Sequence, residues 1–192
     1  MQTAAGHLLD GSTLDKRLVR TILQHPDGYP WKLQDIGLLG LTLDERREYR
    51  LHVWDPAYMV GEPPVHDHPF DFTSTVIVGE LTNSVYREDP AGTGYYRWRY
   101  TLSAEDERTM DTVTLAATAT TLREGDHYAQ AAHELHDSRQ LPGTVTLIRR
   151  AFDEVSRLTV CYRQESAWVS GQARPATRNE VRDITGKALA WF

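Results

Sequence analysis

The pattern of apolar and polar positions changes period once along the chain. Residues 12–25 carry apolar side chains at helical spacing, with Ser12 placed to cap a helix, and the turn HPDGYP (25–30) ends it. Residues 31–44 fit a short helix followed by an extended segment. From residue 46 onward, apolar and polar residues alternate, which is the period of a β-strand. We therefore expect an N-terminal helix followed by a β-rich region.

Turn signals divide the β-rich region into about eight to ten short strands. The separating segments are Gly-Glu at 79–80, DPAGTG at 89–94, a polar loop or helical turn at 103–111, PGT at 142–144 and FDEVS at 152–156. A second helix is predicted from Thr177 to about residue 190. Many short strands are typical of a sandwich or barrel. No repeat or linker divides the chain, so a single domain over 1–192 is expected.

Composition and charge narrow the class of protein. The 192 residues are 40% hydrophobic and 25% charged, which is ordinary for a folded domain. The net charge of -6 argues against a nucleic-acid partner, and no apolar run approaches the roughly 18 residues of a membrane span. Cys161 is the one cysteine, so it cannot form an internal disulfide. Since no secretory leader is visible either, a cytoplasmic protein is expected.

Histidine is concentrated in the middle of the sequence. Six of the eight histidines lie between His52 and His136, and five of those six fall in residues 66–68 and 127–136. On a strand, the i and i+2 spacing of His66 and His68 projects both rings from one face. Two such rings can bind one metal ion at about 2.0–2.2 Å, with a third ligand coming from elsewhere in the fold.

Two segments around these histidines resemble the two sequence motifs of the cupin superfamily. The first motif, G(x)5HxH(x)3–4E(x)6G, is matched by Gly61 (one residue late), His66, His68 and Gly79. In the second, G(x)5PxGxxH(x)3N, the corresponding positions are held by Gly125, Ala131, His133, His136 and Gln140. The resemblance covers about residues 46–163. It leaves the two terminal helices, at 12–25 and 177–190, outside.

This resemblance implies an all-β fold, the cupin double-stranded β-helix or jelly-roll barrel, with His66, His68 and His136 as metal ligands. The glutamate of the first motif is missing, because Phe72 or Thr73 takes its place. The chain therefore resembles the three-histidine members of the superfamily, of which the cysteine dioxygenase-like thiol dioxygenases are the best known. Fe(II) is the metal implied, with Zn(II), Ni(II) or Mn(II) as alternatives.

The identity of the third ligand and the role of nearby carboxylates are left open by the residues themselves. The motif spacing favours His136 over His133, and His133 would then be a general acid or base beside the site or an exposed loop residue. Asp71 could restore a carboxylate ligand, or it could be a hydrogen-bond acceptor or turn residue beside Pro69. We predict that neither Asp71 nor Glu134 ligates the metal.

Candidate substrate-binding residues come from strand parity. Arg50 is favoured among the arginines because it shares a strand face with His52 and Trp54, opposite an apolar face. Tyr128 and Trp54 could line a binding pocket or pack in the core. Because three neutral imidazoles leave the metal charge uncompensated, we expect a small anionic or zwitterionic substrate. The competing expectation is a neutral ligand in a pocket lined by Trp54 and Trp98.

Three function classes are consistent with these residues. The first is a non-haem Fe(II) oxygenase acting on a small polar or anionic metabolite. The second is a redox-neutral isomerase or lyase that uses Zn(II), Ni(II) or Mn(II) as a Lewis acid. The third is a non-catalytic binding protein of the same fold. Since cupins commonly pair through their outer strands, the resemblance also allows a homodimer.

Overall fold

The structure is a computed structural model that describes residues 16–101, 104–151, 157–164 and 173–192. The Ser12 cap and the turn at 152–156 lie outside these ranges. Two helices, α1 (Lys16–Gln24) and α2 (Arg178–Leu189), flank twelve strands in the described chain. These are β1 (Lys32–Gln34), β2 (Ile36–Thr42), β3 (Tyr49–Met59), β4 (Val65–His66), β5 (Phe72–Val78), β6 (Glu80–Thr101), β7 (Ala104–Arg123), β8 (His127–Gln130), β9 (His136–Gln140), β10 (Thr144–Arg150), β11 (Arg157–Tyr162) and β12 (Arg174–Pro175).

The strand order is that of a jelly roll. One antiparallel sheet has the order β12-β1-β2-β3-β10-β5-β8, and the other has β11-β4-β9-β6-β7. From β3 to β10, successive strands alternate between the sheets, except that β6 and β7 are neighbours in the smaller sheet. This gives the four-stranded cores β3-β10-β5-β8 and β4-β9-β6-β7 of a double-sheet jelly roll. The all-β fold predicted from the sequence is therefore confirmed, and β1, β2 and β12 extend the larger sheet beyond it.

The apolar face of the larger sheet is covered by the helices. Leu51 and Val53 on β3 are fully buried, and they belong to one hydrophobic cluster with residues of both helices. The helical members of this cluster are Val19, Ile22, Leu23, Val181, Ile184 and Ala188. Thr177 caps α2 through a reciprocal pair of hydrogen bonds with Glu180, and the helix starts where the sequence predicts. The opposite, polar face of β3 is thereby turned into the barrel.

The smaller sheet closes on itself through a bent strand. Both Glu88 and Thr93 of β6 pair with Leu115, so residues 89–92 bulge out of the ladder. Beyond the bulge, β6 pairs with β11, which also pairs with β4. Gly92 permits this bend, because a Cβ atom there would lie 2.4 Å from the Leu115 carbonyl oxygen. A second, small core fills the enclosed space; it contains Val65, Tyr95, Val113, Leu115 and Cys161.

Two local predictions are wrong for the same reason. The segment 89–94 is a bulge inside β6 and does not end the strand, and 104–111 continues as β7 where a loop or helical turn was expected. Both segments carry polar residues that favour turns, but strand pairing overrides that preference: β6 pairs with β7 on both sides of the bulge, and residues 108–111 pair with β6. The short helix considered within 31–44 is also absent, since this stretch forms β1 and β2. No helix in the described part of the chain is long and apolar enough to cross a membrane.

Candidate metal centre

Three histidines converge on the inner face of the smaller sheet. His66 on β4 is the direct cross-strand partner of His136 on β9, so the two rings project from the same face. His68 lies two residues beyond the end of β4, and its ring centroid is 4.9 Å from that of His66. One ring nitrogen from each histidine lies within 4.8 Å of the others. The sequence-derived set His66, His68 and His136 is thus brought together by the ladder.

Hydrogen bonds set the tautomers of two of these rings. Nδ1 of His66 lies 3.1 Å from the carbonyl oxygen of Pro64, and Nδ1 of His136 lies 3.0 Å from Oδ1 of Asn83. Both nitrogens must donate to these oxygens, which leaves an Nε2 lone pair on each ring free to bind a metal. The backbone before β4 and the Asn83 side chain therefore orient two of the three ligands.

The spacing of the nitrogens fits a shared cation. Nε2 of His68 lies 3.0 Å from Nε2 of His136. Two ligand atoms about 2.1 Å from one metal and at right angles to each other are about 3.0 Å apart. Because the His136 nitrogen carries a lone pair, the contact is satisfied either by a proton on His68 or by a metal between the rings. The donor set and its spacing therefore fit a divalent transition metal.

Burial keeps the three rings neutral. It lowers the pKa of His66, and it lowers the pKa of His68 and of His136 well below the ordinary histidine value. Neighbouring histidines lower the pKa of His68 and His136 further, since a second positive charge in the cluster would be repelled. Neutral imidazole is the form that binds metal, so metal binding near neutral pH requires no net loss of a proton from the three rings.

The hydrogen-bonded amide side chains of Asn83 and Gln130 support the ring of His136. Oδ1 of Asn83 also accepts a hydrogen bond from the Ser138 hydroxyl at 3.1 Å. Nδ2 of Asn83 donates to Gln130 at 3.3 Å, and Nε2 of Gln130 donates to the Glu134 carboxylate at 2.8 Å. Asn83 and Gln130 are buried, so these bonds fix the amide orientations. Partners of this kind hold the ring of a metal ligand in place.

Neither candidate carboxylate belongs to the histidine group in the described residues. Glu134 is bound to Gln130. Asp71 is exposed and accepts a 2.6 Å hydrogen bond from the backbone of Ala132, so it ties the β4–β5 loop to the segment before β9. Phe72 occupies the glutamate position of the first motif, and its ring centroid lies 4.9 Å from that of His68. An apolar ring therefore stands beside the histidines where the motif has a ligand.

His133 lies apart from the three histidines. Its backbone has a positive φ of 63°, and its side chain is 48% exposed. Nδ1 lies 3.5 Å from a carboxylate oxygen of Asp67, which stands between His66 and His68 in sequence. Asp67 is buried and accepts a 2.7 Å hydrogen bond from the backbone of Thr159. The structure thus places His133 and Asp71 apart from the grouped histidines, and His136, which the motif spacing favours, is the one that joins His66 and His68.

The three histidines open onto a cavity of about 350 Å³ inside the barrel. Arg50, Trp54 and Tyr128, the substrate-binding candidates, all line it. The Trp54 indole donates to the Thr146 hydroxyl at 3.1 Å, and burial raises the pKa of Tyr128. Trp98 is not among the described residues that line the cavity. Most of the remaining wall is apolar and comprises Ile36, Leu38, Phe70, Phe72, Ile148, Leu158 and Val160.

Sequence reasoning did not single out several wall residues. His52 lies on the same face of β3 as Arg50, and burial, assisted by the Arg50 charge, lowers its pKa to about 3. Arg150 stacks its guanidinium over Phe70 at 3.8 Å from the ring centroid. Strand parity had placed His52 on the Arg50 face without assigning it a role, and the same alternation on the adjacent strand β10 could have found Arg150. No sequence signal marks Asn83.

Comparisons with known proteins do not identify the function. No family model and no curated protein matches the chain. Similar solved structures include CENP-C from Drosophila melanogaster bound to CAL1 (14% identity, TM-score 0.33, 76% of this chain and 97% of that one). A cupin-like protein from Thermotoga maritima is also similar (15%, 0.26, 77% and 84%), as is the Drosophila CENP-C cupin domain (14%, 0.21, 76% and 96%). Because these TM-scores are too low to support a structural argument, the jelly-roll assignment rests on the strand order of this chain alone.

Proposed function

We propose that this protein is a metal-dependent enzyme, a non-haem iron oxygenase that acts on a small anionic metabolite inside the barrel. The observation that carries the proposal is the convergence of three neutral imidazole nitrogens at the wall of an internal cavity. His66, His68 and His136 would hold the ion. Ferrous iron at such a site supplies the chemistry of dioxygen activation, which resembles that of the thiol dioxygenases.

The charge of the ligand set supports an anionic substrate. Three neutral histidines do not reduce the charge of a divalent ion, and the described group contains no carboxylate. Two guanidinium groups, of Arg50 and Arg150, line the same cavity. Carboxylate and thiolate groups are attracted by such surroundings. The arginine side chains would hold and orient the anionic end of the substrate.

The apolar wall supports a reactive step sheltered from water. Phe70 and Phe72 pack around His68, with ring centroids 5.4 and 4.9 Å from its own. Side chains of this kind exclude water from a site and strengthen electrostatic interactions within it. They also favour a substrate with an apolar portion next to its charged group. A small amino acid or a thiol-bearing acid meets these requirements.

Metal content and oxygen uptake of the purified protein test this proposal. We expect about one iron per chain after anaerobic loading, and oxygen consumption when small thiols, amino acids or short carboxylic acids are added. His136→Ala should abolish both metal binding and uptake, whereas His127→Ala, which changes an exposed histidine of β8, should change neither.

Three results would overturn the oxygenase assignment. Zinc, nickel or manganese bound tightly, with substrate turnover and no oxygen uptake, would identify a redox-neutral Lewis-acid enzyme. A protein that binds small molecules and no metal would be a non-catalytic binder. Stabilisation by neutral aromatic compounds alone, with no effect of anions, would contradict the proposed substrate class.

A further inference from the structure

The chain connections define two ends of the cavity inside the barrel. β3 leads into β4 through residues 60–64, so the end of β3 and the start of β4 lie at one end. β4 leads into β5 through residues 67–71, so Phe72, the first residue of β5, lies at the other end. The wall residues can therefore be assigned to one end or the other from their positions along these strands.

The histidine cluster and the arginines lie toward the Phe72 end. The ring centroid of Phe72 is 4.9 Å from that of His68, and Phe72 pairs with Arg150 on β10. Arg50 on β3 pairs with Ile148, two residues before Arg150, so the two arginines are diagonal neighbours on the larger sheet. Both guanidinium groups line the cavity on this side. The positive charges of the wall are therefore concentrated in the same half of the cavity as the proposed metal site.

The opposite end of the cavity is apolar. Trp54 lies four residues beyond Arg50 on β3 and pairs with Leu38 on β2. β11 runs antiparallel to β4, so Tyr162, the last residue of β11, lies beside the start of β4. Gln34 also lines this end, and none of the described wall residues here carries a charge. We call this end the apolar compartment; its wall comprises Ile36, Leu38, Trp54, Pro63, Pro64 and Tyr162.

Distance and volume indicate the size of a molecule that fills both ends. Arg50 and Trp54 are four residues apart on one strand, which corresponds to roughly 13 Å at about 3.3 Å per residue. The cavity volume of about 350 Å³ equals that of roughly twelve water molecules at about 30 Å³ each. An acid of the size of acetate would fill the charged end alone. An acid that also carries an apolar group of the size of a ring would reach the compartment.

The walls of the compartment favour an apolar occupant over water. Water in this end of the cavity finds few polar side chains to bind, and its replacement by an apolar group is favourable. Each methylene group that enters the compartment should strengthen binding about fourfold. No charge on the described wall of this end opposes the burial of such a group.

From these observations we infer that the substrate is a carboxylic acid with an aryl or alkyl group of ring size, bound with its carboxylate at Arg50 and its apolar group in the apolar compartment. This inference rests on the proposed function, and it narrows the substrate class from small anions to acids that reach from Arg50 to Trp54.

Calorimetry with a short series of ligands tests this substrate class. In the purified protein, 3-phenylpropanoate and hexanoate should each bind roughly tenfold or more tightly than acetate, because only these two reach the compartment. 3-Phenylpropanamide has the same size but no charge, so it should bind about tenfold more weakly than 3-phenylpropanoate. Equal affinity for the three acids, or equal affinity for the acid and its amide, would overturn the inference.

Two substitutions test where the apolar group lies. Ile36 pairs with Met59 at the end of β3, so Ile36→Trp fills the compartment and should remove the preference for 3-phenylpropanoate over acetate. Met110→Trp is the matched control, because Met110 is exposed on β7 and is not a wall residue; it should retain the preference. Trp54→Leu enlarges the compartment and should raise the affinity for decanoate relative to hexanoate. Circular dichroism shows whether each variant is folded. An unchanged preference in folded Ile36→Trp and Trp54→Leu proteins would overturn the inference.

The binding measurement and the oxygenase test fail separately, because calorimetry requires neither iron nor oxygen. A preference for 3-phenylpropanoate without any oxygen uptake would overturn the oxygenase assignment and support the assigned ligand class. Oxygen uptake with short acids or thiols, combined with no preference for the longer acids, would overturn the present inference and leave the oxygenase assignment in place.

Discussion

His66 and His136 face each other directly across the β4–β9 ladder, with ring centroids 4.9 Å apart. Their distance is set by two adjacent backbones and not by loop conformation. Sites built on paired strands are held more tightly than sites on loops. The third histidine, His68, lies two residues beyond the end of β4, with its ring centroid 4.9 Å from that of His66 and 5.1 Å from that of His136. Two of the three candidate ligands are therefore positioned by the sheet.

Removing any one of these rings should abolish stable metal binding. We expect His66→Ala, His68→Ala and His136→Ala each to lower the bound metal from about one per chain to nearly none, because two imidazoles hold a divalent ion weakly. The fold should persist, since the cores under the helices and inside the smaller sheet are separate from the cluster. Metal analysis and circular dichroism measure the two effects. Full occupancy in His136→Ala together with loss in His133→Ala would assign the third ligand to His133.

Asn83 should control metal affinity without touching the ion. Asn83→Leu removes the acceptor of the His136 N–H, so we expect roughly 10- to 100-fold weaker metal binding. Asn83→Asp keeps an acceptor at the same place and should restore most of the affinity. Competition with a chromophoric chelator measures the constants. Equal affinity in the wild type and the leucine variant would show that the hydrogen bond does not orient the ring.

Arg50 should determine the response to anionic ligands. In the metal-loaded protein, small carboxylic acids should raise the melting temperature by mass action, and Arg50→Met should remove most of that increase. Arg149→Met is the matched control, because Arg149 lies on the neighbouring strand β10, pairs with Glu48 and is not a wall residue. If the carboxylic acids stabilise both variants equally, Arg50 has no part in anion binding.

The N-terminal end of α2 should be sensitive to acid. Glu180 is bonded to Arg174 and to Thr177, and these contacts lower its pKa from 4.5 to about 2. Because the folded-state pKa is below the unfolded one, the stabilisation is complete above about pH 4.5 and is lost as the pH falls toward 2. Glu180→Gln should lower the melting temperature at pH 6 and have little effect near pH 2. If Glu180→Gln lowers the melting temperature equally at both pH values, the Glu180 charge is not the source of the stabilisation.

Strand parity made much of the site predictable. The alternation along β3 separated Leu51 and Val53 from Arg50 and Trp54, and the latter two do line the cavity. His66 and His68 followed from the same period. Strand parity does not show which strand, distant in sequence, lies next to a given ring. The contact of Asn83 with His136 was therefore not predictable.

The errors arose where tertiary pairing overrides local preference. DPAGTG has the composition of a turn, yet β11 and β7 pair with β6 beyond it and keep the strand running. His133 adopts a positive φ, which a histidine seldom does, within a turn closed by the Glu134 N–H on the Ala131 carbonyl oxygen, and β9 starts only at His136. The two-residue period of a strand would place His133 and His136 on opposite faces of one strand. In the structure only His136 belongs to a strand, β9.

The paired strands β4 and β11 separate the small core of the smaller sheet from the cavity that the histidines line. Val65 and Cys161 face the core, whereas their neighbours His66 and Val160 face the cavity. A breathing motion that exposes the Cys161 sulfur must therefore disturb the backbone that carries His66. Ions bound on one side should slow thiol modification on the other, so the single native cysteine can act as an internal reporter of occupancy.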